Sequence, residues 1–354
     1  GLAAPWVGMA LDQVGPRRLV RWGVLMSASG VLVLSFTHEV WQFLPAMVLI
    51  AVGSTASGGQ IGHHAVASWF RVRRVRAMSV MTLGGAAGGL FSVVVAVGVE
   101  EIGWRATLRI LSACICVFGL FFSRWVRARP ADHHQPIDGI EVPEGSPPQS
   151  AVEWNVPHRE AVRSVAFRQI VLFNMAADFA RLAYLTHLVA FVDRDLGAAA
   201  VAAGSTLTIS TAASFAGRLG AGYFADRFPV HRVAAATMVP FALGVGLLAL
   251  ATAPWHAYVA AVLAGIGFGA SVPVRPAMYV EYFGLADFGR IMGMGRLTST
   301  TGGFLGVSLV GLMVDISDGN YSPAWTLVAC AAMVSVPLVL LARPPIELQE
   351  RHRV

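Results

Sequence analysis

Residues Val233–Thr252 read VAAATMVPFALGVGLLALAT, twenty consecutive positions without a charge. About 20 helical residues are needed to cross the roughly 30 Å hydrocarbon core of a bilayer. Outward from this stretch, comparable apolar runs lie at 19–37, 41–66, 78–99, 106–126, 166–192, 198–222, 257–280, 291–314 and 323–342. Residues 1–11 are apolar too, but too short to cross. In lipid only helices and closed barrels satisfy their own backbone, and these runs are too long and too evenly apolar for alternating barrel strands. The chain is 56% hydrophobic and only 13% charged, with a mean hydropathy of +0.63. Soluble domains carry about 25% charged residues. The expected class is an all-α, polytopic membrane protein.

All 26 cationic side chains are arginine, and the net charge is +6. Their placement argues against nucleic acid as a partner. Arg17, Arg18 and Arg21 share one loop; Arg71, Arg73, Arg74 and Arg76 share a loop two connections later. Arg124, Arg127, Arg129, Arg159, Arg163 and Arg168 lie in or beside a central connection, followed by Arg227, Arg232, Arg290, Arg343, Arg351 and Arg353. The intervening loops carry only Arg105 and Arg194. This asymmetry puts the arginine-rich loops and the C-terminus in the cytoplasm, where they can also touch anionic lipid. The expected location is a plasma (inner) membrane. Residues 1–11 would then run from outside to inside, which predicts that a first helix is absent and the next is partial. Cys114, Cys116 and Cys330 fall inside apolar runs and read as small buried hydrophobes.

The sequence repeats itself. Gly8-Met9-Ala10-Leu11-Asp12 matches Gly222-Tyr223-Phe224-Ala225-Asp226 at an offset of 214, and Arg18 matches Arg232. Trp69-Phe70 matches Tyr282-Phe283, and Gly88-Gly89 matches Gly302-Gly303. The offset covers six helices, an even number, so both copies point the same way and form a parallel repeat. The predicted organisation is an incomplete N-terminal helical bundle (1–126), a cytoplasmic linker (127–165), and a C-terminal bundle with a short cytoplasmic tail (166–354). The linker holds Pro130, Pro136, Pro143, Pro147, Pro148 and Pro157 and is expected to be mobile rather than packed. Glycines at 84, 85, 88, 89, 265, 269, 302, 303 and 306 would let helices approach closely. Lying within apolar spans with no strand before them, they do not read as a nucleotide loop.

These features resemble the major facilitator superfamily. Its loop signature, Gly-x-x-x-Asp-Arg-x-Gly-x-Arg-Arg, is met by Gly8, Asp12, Gly15, Arg17 and Arg18, with Gln13 where the family has arginine. The second copy keeps Gly222, Asp226 and Arg227. Within the superfamily the chain is most similar to the monocarboxylate-transporter-like branch. The residues that carry this likeness are His187 before Asp193, Gly217-Arg218-Leu219 before Gly222, Ser68-Trp69-Phe70 before the basic loop, and the stretch from Tyr282 to Tyr321. The resemblance implies two six-helix bundles, with eleven of twelve helices represented here, transport by alternating access, and a latch at the Asp12 and Asp226 loops.

Charge inside a span costs roughly 2.5–3.5 kcal/mol on insertion scales and marks a functional candidate. Arg218 lies eight residues before Asp226, about 12 Å deep, where the branch places an arginine that the resemblance implies binds carboxylate. A guanidinium fork matches a carboxylate two-to-two; the alternative role is a brace beside the loop. The branch pairs this arginine with an aspartate four residues earlier, and here that position is Ser214. Dicarboxylate-carrying relatives use a helix-11 lysine where this chain has Ser299, so one carboxylate is expected rather than two. Asp178 and Arg181, three apart near the midplane, offer a substitute proton-coupling pair; a permanently closed structural pair is the competing reading. His63 and His64, beside Gln60, are further proton candidates, and only one of the two can face a cavity well. Arg275 and Arg296, each about 9 Å from the cytoplasmic face, are expected at an inner gate. His187 reads as lining near the outer mouth.

The resulting expectation is a secondary transporter of a small organic anion, a monocarboxylate, with proton symport as the candidate coupling. The alternatives are an exporter of amphipathic, drug-like compounds and a membrane nutrient sensor that moves nothing. No enzyme constellation, metal-ligand spacing or cofactor motif is visible.

Overall fold

The computed structural model describes residues 2–88, 91–127, 130, 133–140 and 152–354. Gly89, Arg129, Pro143, Pro147 and Pro148, named above, lie outside them. The described chain is helical throughout: α1 Ala4–Val14, α2 Pro16–Ser35, α3 Val40–Ser57, α4 Gly59–Trp69, α5 Arg74–Ala87, α6 Phe91–Ile102, α7 Trp104–Phe122, α8 His158–Arg163, α9 Val165–Arg194, α10 Ala200–Ala225, α11 Val230–Ala249, α12 Pro254–Phe283, α13 Phe288–Ile316, α14 Ser322–Leu341 and α15 Ile346–Arg351. Extended pairing among the described residues is a single isolated bridge, Trp154 with Arg353.

Eight helical stretches are long and apolar enough to span a membrane. They match eight of the ten runs read from the sequence. The run at 198–222 folds as the 26-residue α10, whose Ser205, Thr206, Thr208, Ser210, Thr211, Ser214 and Arg218 dilute its hydropathy. The run at 78–99 is divided between α5 and α6. The run at 41–66 is also two helices: α3 and α4 meet at Gly58, where ψ is −159°. The cause is local. Gly58 and Gly59 give no side-chain support, and Thr55 and Ser57 hydroxyls bond back to the Ala51 and Gly53 carbonyls. Gly/Ser clusters of this kind kink helices.

The repeat is visible in how the halves meet. α1 packs on α13, and α10 packs on α5. These pairs correspond under the 214-residue offset: α1 maps on α10, and α5 on α13. Glycine is required at both crossings. A Cβ on Gly8 would collide with the Gly289 carbonyl, and one on Gly222 would come within 3.0 Å of the Arg76 backbone.

The C-terminal half has two apolar clusters. One gathers Phe167, Ile170, Phe173, Met278, Tyr282, Phe283 and Phe288. The other gathers Tyr184, Leu188, Phe191, Phe241, Trp325 and Val328. Asp178 and Arg181 of α9 sit between them in sequence and in space, so the charged layer is bracketed by hydrocarbon on both sides.

The second part of the expected mobile linker is packed instead. Val152, Val156 and Ala161 are buried. The Trp154 indole N–H donates to the Glu281 carbonyl at 3.0 Å, and Asn155 Oδ1 accepts the Leu285 and Ala286 N–H groups. Gln349 of α15 donates to the Glu281 and Tyr282 carbonyls. Residues 152–163 and the tail thus cap the turn between α12 and α13. Composition suggested otherwise because the proline-rich stretch before 152 dominated the average.

Gly284, at the heart of this cap, has φ +86°, and a Cβ there would strike the Trp154 carbonyl. Gly319 has φ +89° but open space around it. A left-handed non-glycine residue costs roughly 1–2 kcal/mol, and Gly284→Ala adds a backbone collision. Thermal unfolding of the detergent-purified protein should therefore show a clearly larger loss for Gly284→Ala than for Gly319→Ala. Equal losses would mean that the cap is not packed as described.

Candidate functional site

Asp178 is almost fully buried on α9. Arg275 reaches it from α12 and bonds both oxygens, Nη1 to Oδ1 and Nη2 to Oδ2, each at 2.8 Å. Arg181 adds Nε to Oδ1 at 3.0 Å. Arg275 Nε also donates to Asn174 Oδ1 at 2.5 Å, and Asn174 in turn donates to the Tyr279 hydroxyl at 3.0 Å. The expected Asp178–Arg181 contact exists, but the two-pronged partner is Arg275, which the sequence reading assigned to a gate. Depth counted along one helix could not reveal a contact 97 residues away. A bidentate guanidinium–carboxylate pair is among the strongest polar contacts available. Removing one partner of a buried pair costs about 3–5 kcal/mol.

Arg218 is differently placed. It is 5% exposed and its Nη1 donates to Ser214 Oγ at 2.5 Å. Its Nε is enclosed without a partner among the described residues, and its guanidinium lies 5.5 Å from the Phe268 ring centroid. Arg181 approaches the same ring at 6.0 Å. Arg218 therefore holds its charge against one hydroxyl and one aromatic ring, with no carboxylate paired to it among the described residues. Ser214 stands where the resemblance expected an aspartate, and this substitution is what leaves the arginine unmatched.

A cavity of about 900 Å³ lies between the halves. From one side it is lined by residues of α2, α4, α5 and the segment after α7, including His63, Met81, Trp69 and Trp125; from the other by Arg218, Val272 and Arg296. Of the paired histidines, His63 lines the cavity, and His64 packs 5.9 Å from Phe288. Gln60 is turned to α13, donating to the Gly289 carbonyl at 2.8 Å. His187 bonds the Val307 carbonyl at 3.1 Å and packs on Tyr321, a structural engagement.

The loop motifs form a pair of interlocks. Asp12 accepts the Gly289 and Arg290 N–H groups at the start of α13, at 3.1 and 3.2 Å. A carboxylate there complements the positive end of the helix dipole. Asp226 pairs with Arg76 of α5 at 3.0 Å. Burial pushes the Asp226 carboxyl above its ordinary pKa, while Arg76, Arg73 and Arg227 pull it back. Among the partners foreseen, the 71–76 loop supplies Arg76. Arg227 instead lies over the Tyr223 ring at 3.7 Å, and Arg17 and Arg18 enter no ion pair among the described residues. Gly15, at φ +84°, makes the turn between α1 and α2.

Comparison with known proteins agrees with this architecture. The chain is 24% identical to an MFS-type transporter of Gibberella moniliformis, over 97% of the chain and 79% of that protein. It is 25% identical to monocarboxylate transporter 13 of Bos taurus, over 96% and 76%. It is 26% identical to the fujikurins efflux protein of Gibberella fujikuroi, over 82% and 59%. Among solved structures, FucP in the outward conformation superposes with a TM-score of 0.73 at 16% identity, covering 97% of this chain and 86% of that one. The human organic anion transporter MFSD10 superposes with a TM-score of 0.72 at 13% identity, covering 96% and 80%. The family model for the Major Facilitator Superfamily matches residues 1–192 and again 170–353. With both halves matched and the fold shared along nearly its whole length, the chain belongs to the Major Facilitator Superfamily.

Proposed function

We propose that this protein is a secondary transporter that carries a small organic anion across the membrane by alternating access, with a substrate carboxylate held by Arg218. The observation that carries the reading is the unmatched Arg218 guanidinium beside the cavity. An apolar surround without a paired acid makes a buried guanidinium a strong receptor for a carboxylate. The likeness to a monocarboxylate transporter supports the same class of cargo. The arginine-rich end, which holds the Asp12 and Asp226 interlocks, is the cytoplasmic end in this reading, and the protein resides in the plasma (inner) membrane.

Proton coupling runs through Asp178. Its carboxylate holds Arg181 and Arg275, so its charge decides whether those cations are available to an anion. His63, at the cavity wall, is a second candidate for the proton.

Export of amphipathic compounds is the second reading. It is favoured by the aromatic and aliphatic wall at Trp69, Phe70, Met81 and Trp125 and by the fungal efflux relative. In that case Arg218 is a brace, and uncharged compounds move.

Proteoliposomes separate these readings. With labelled small carboxylates, Arg218→Gln should lower initial uptake by at least about tenfold, and Arg218→Lys should restore part of it. If Arg218→Gln folds and transports at the wild-type rate, the anion reading is wrong. Asp178→Asn should abolish the stimulation of uptake by an inward proton gradient while leaving substrate counterflow measurable. Retained stimulation would remove Asp178 from the coupling step.

A further inference from the structure

Part of the cavity wall belongs to neither bundle. Beyond Trp125 the lining continues with Val126, Arg127 and Gln135. These residues follow α7 and begin the connection between the halves, so the connection itself closes one end of the cavity. That end also carries Trp69 and Phe70, with the arginine-rich loop directly after them.

The stretch is tied down where it passes. The Trp69 indole N–H donates to the Arg127 carbonyl at 3.3 Å, and the indole stacks on His133 with ring centroids 6.3 Å apart. Farther on, Asp138 Oδ2 accepts the backbone N–H groups of Arg71 and Val72, at 3.0 and 2.9 Å. Such charge-assisted bonds are stronger than neutral ones. Asp138 makes them from a left-handed backbone, at φ +58°. A residue other than glycine is uncommon there and stays only where its surroundings hold it, and such positions cluster at switches. Arg71 is held a second time, because its side chain pairs with Glu153. Glu153 belongs to the packed cap: its carbonyl accepts the Val354 N–H at 2.7 Å, and Trp154 beside it bonds the Glu281 carbonyl. The turn at Arg71 and Val72 thus hooks together the N-terminal half, the start of the connection and the cap on the C-terminal half. Farther along the same loop, Arg76 pairs with Asp226.

Resting on the alternating-access reading above, but not on the identity of its cargo, we propose that residues 125–127 and 133–140 form a lid over the arginine-rich end of the cavity. Asp138 keys it shut on the Arg71 and Val72 backbone, and the Arg71–Glu153 pair steadies it against the cap. The lid lies across the way out on that side, so it unhooks each time the cavity opens there. Its fastenings suit that duty. The Arg71 and Glu153 side chains are 40% and 47% exposed, so water can replace their contact. A motion that parts Arg76 from Asp226 also carries the Arg71 turn away from the cap, and both fastenings are loaded together.

Thr82, on the cavity wall, reports whether the lid is open. The full chain with Thr82→Cys, and with Cys114, Cys116 and Cys330 replaced by alanine, is placed in sealed membrane vesicles of known orientation and labelled with a membrane-impermeant maleimide. No cargo is needed, so failure of the lid and failure of the anion reading are told apart. Asp138→Ala should speed labelling from the arginine-rich face by about tenfold. Arg71→Gln keeps the backbone N–H that Asp138 holds and should speed it by about two- to fivefold. Labelling from the opposite face should not rise. Thermal unfolding in detergent checks that each variant is folded, and Arg71→Gln decides alone if Asp138→Ala is not. A rate that neither folded variant moves, or a rise that is equal from both faces, overturns the lid.

Discussion

A charge in the bilayer interior must find a partner inside the protein, because no water is there to solvate it. That constraint organises the C-terminal half. Asp178 lies between two apolar clusters on α9, and burying it is tolerable because Arg275 and Arg181 enclose it and Asn174 ties Arg275 in turn to Tyr279. The chain Tyr279–Asn174–Arg275–Asp178–Arg181 binds α9 to α12 through polar contacts that hydrocarbon cannot replace. With Asp178 committed to these two cations, Arg218 pairs with no carboxylate among the described residues. The full positive charge of this guanidinium follows from the same pairing that fixes the helices.

The interface between halves obeys a second rule. Lipid tails are as apolar as leucine, so hydrophobicity does not press helices together, and close approach depends on small residues and polar contacts. Gly8 against the Gly289 backbone and Gly222 against Arg76 and Ser79 give the approach. Asp12 at the start of α13 and Asp226 with Arg76 give the polar contacts. Asp12 is largely enclosed against the start of α13, while the Asp226–Arg76 pair stays partly open to water. The Asp226–Arg76 pair, with its arginine half exposed, is of the kind worth about 0–1 kcal/mol, far less than the buried Asp178 triad. The buried Asp178 triad therefore sits within one half, while the more exposed Asp226–Arg76 pair joins the two.

Much of this was legible in the sequence, for physical reasons. Spans are legible because a bilayer demands about 20 apolar residues in a row. The repeat is legible because Gly8 and Gly222 must both be glycine at equivalent crossings, and Asp12 and Asp226 must both meet a neighbouring helix start. The partner of Asp178 was not legible. Arg275 is far away in sequence, and counting residues from a helix end gives depth but not azimuth. The break at Gly58 hid inside an unbroken apolar run, since a glycine pair barely lowers hydropathy. The packed segment 152–163 was lost in a composition average, although Trp154, Val156 and Val162 could have flagged it.

Ser214 links the two kinds of information. A serine four residues before Arg218 looks like a loss when read against the resemblance, because an internal aspartate would neutralise the guanidinium and carry the proton. In the folded chain the serine does something else. Its hydroxyl holds one arm of Arg218 at 2.5 Å and orients the fork without cancelling its charge. The carboxylate of the layer has moved one helix away, to Asp178, where it neutralises other arginines. On the proposed reading, proton-sensitive charge and substrate-binding charge fall on separate residues, bridged by Arg181, which touches Asp178 and shares the Phe268 ring with Arg218. On that proposed reading, a change in the charge of Asp178 reaches the substrate through Arg181, and coupling depends on the freedom of that side chain to turn between an aspartate and an anion.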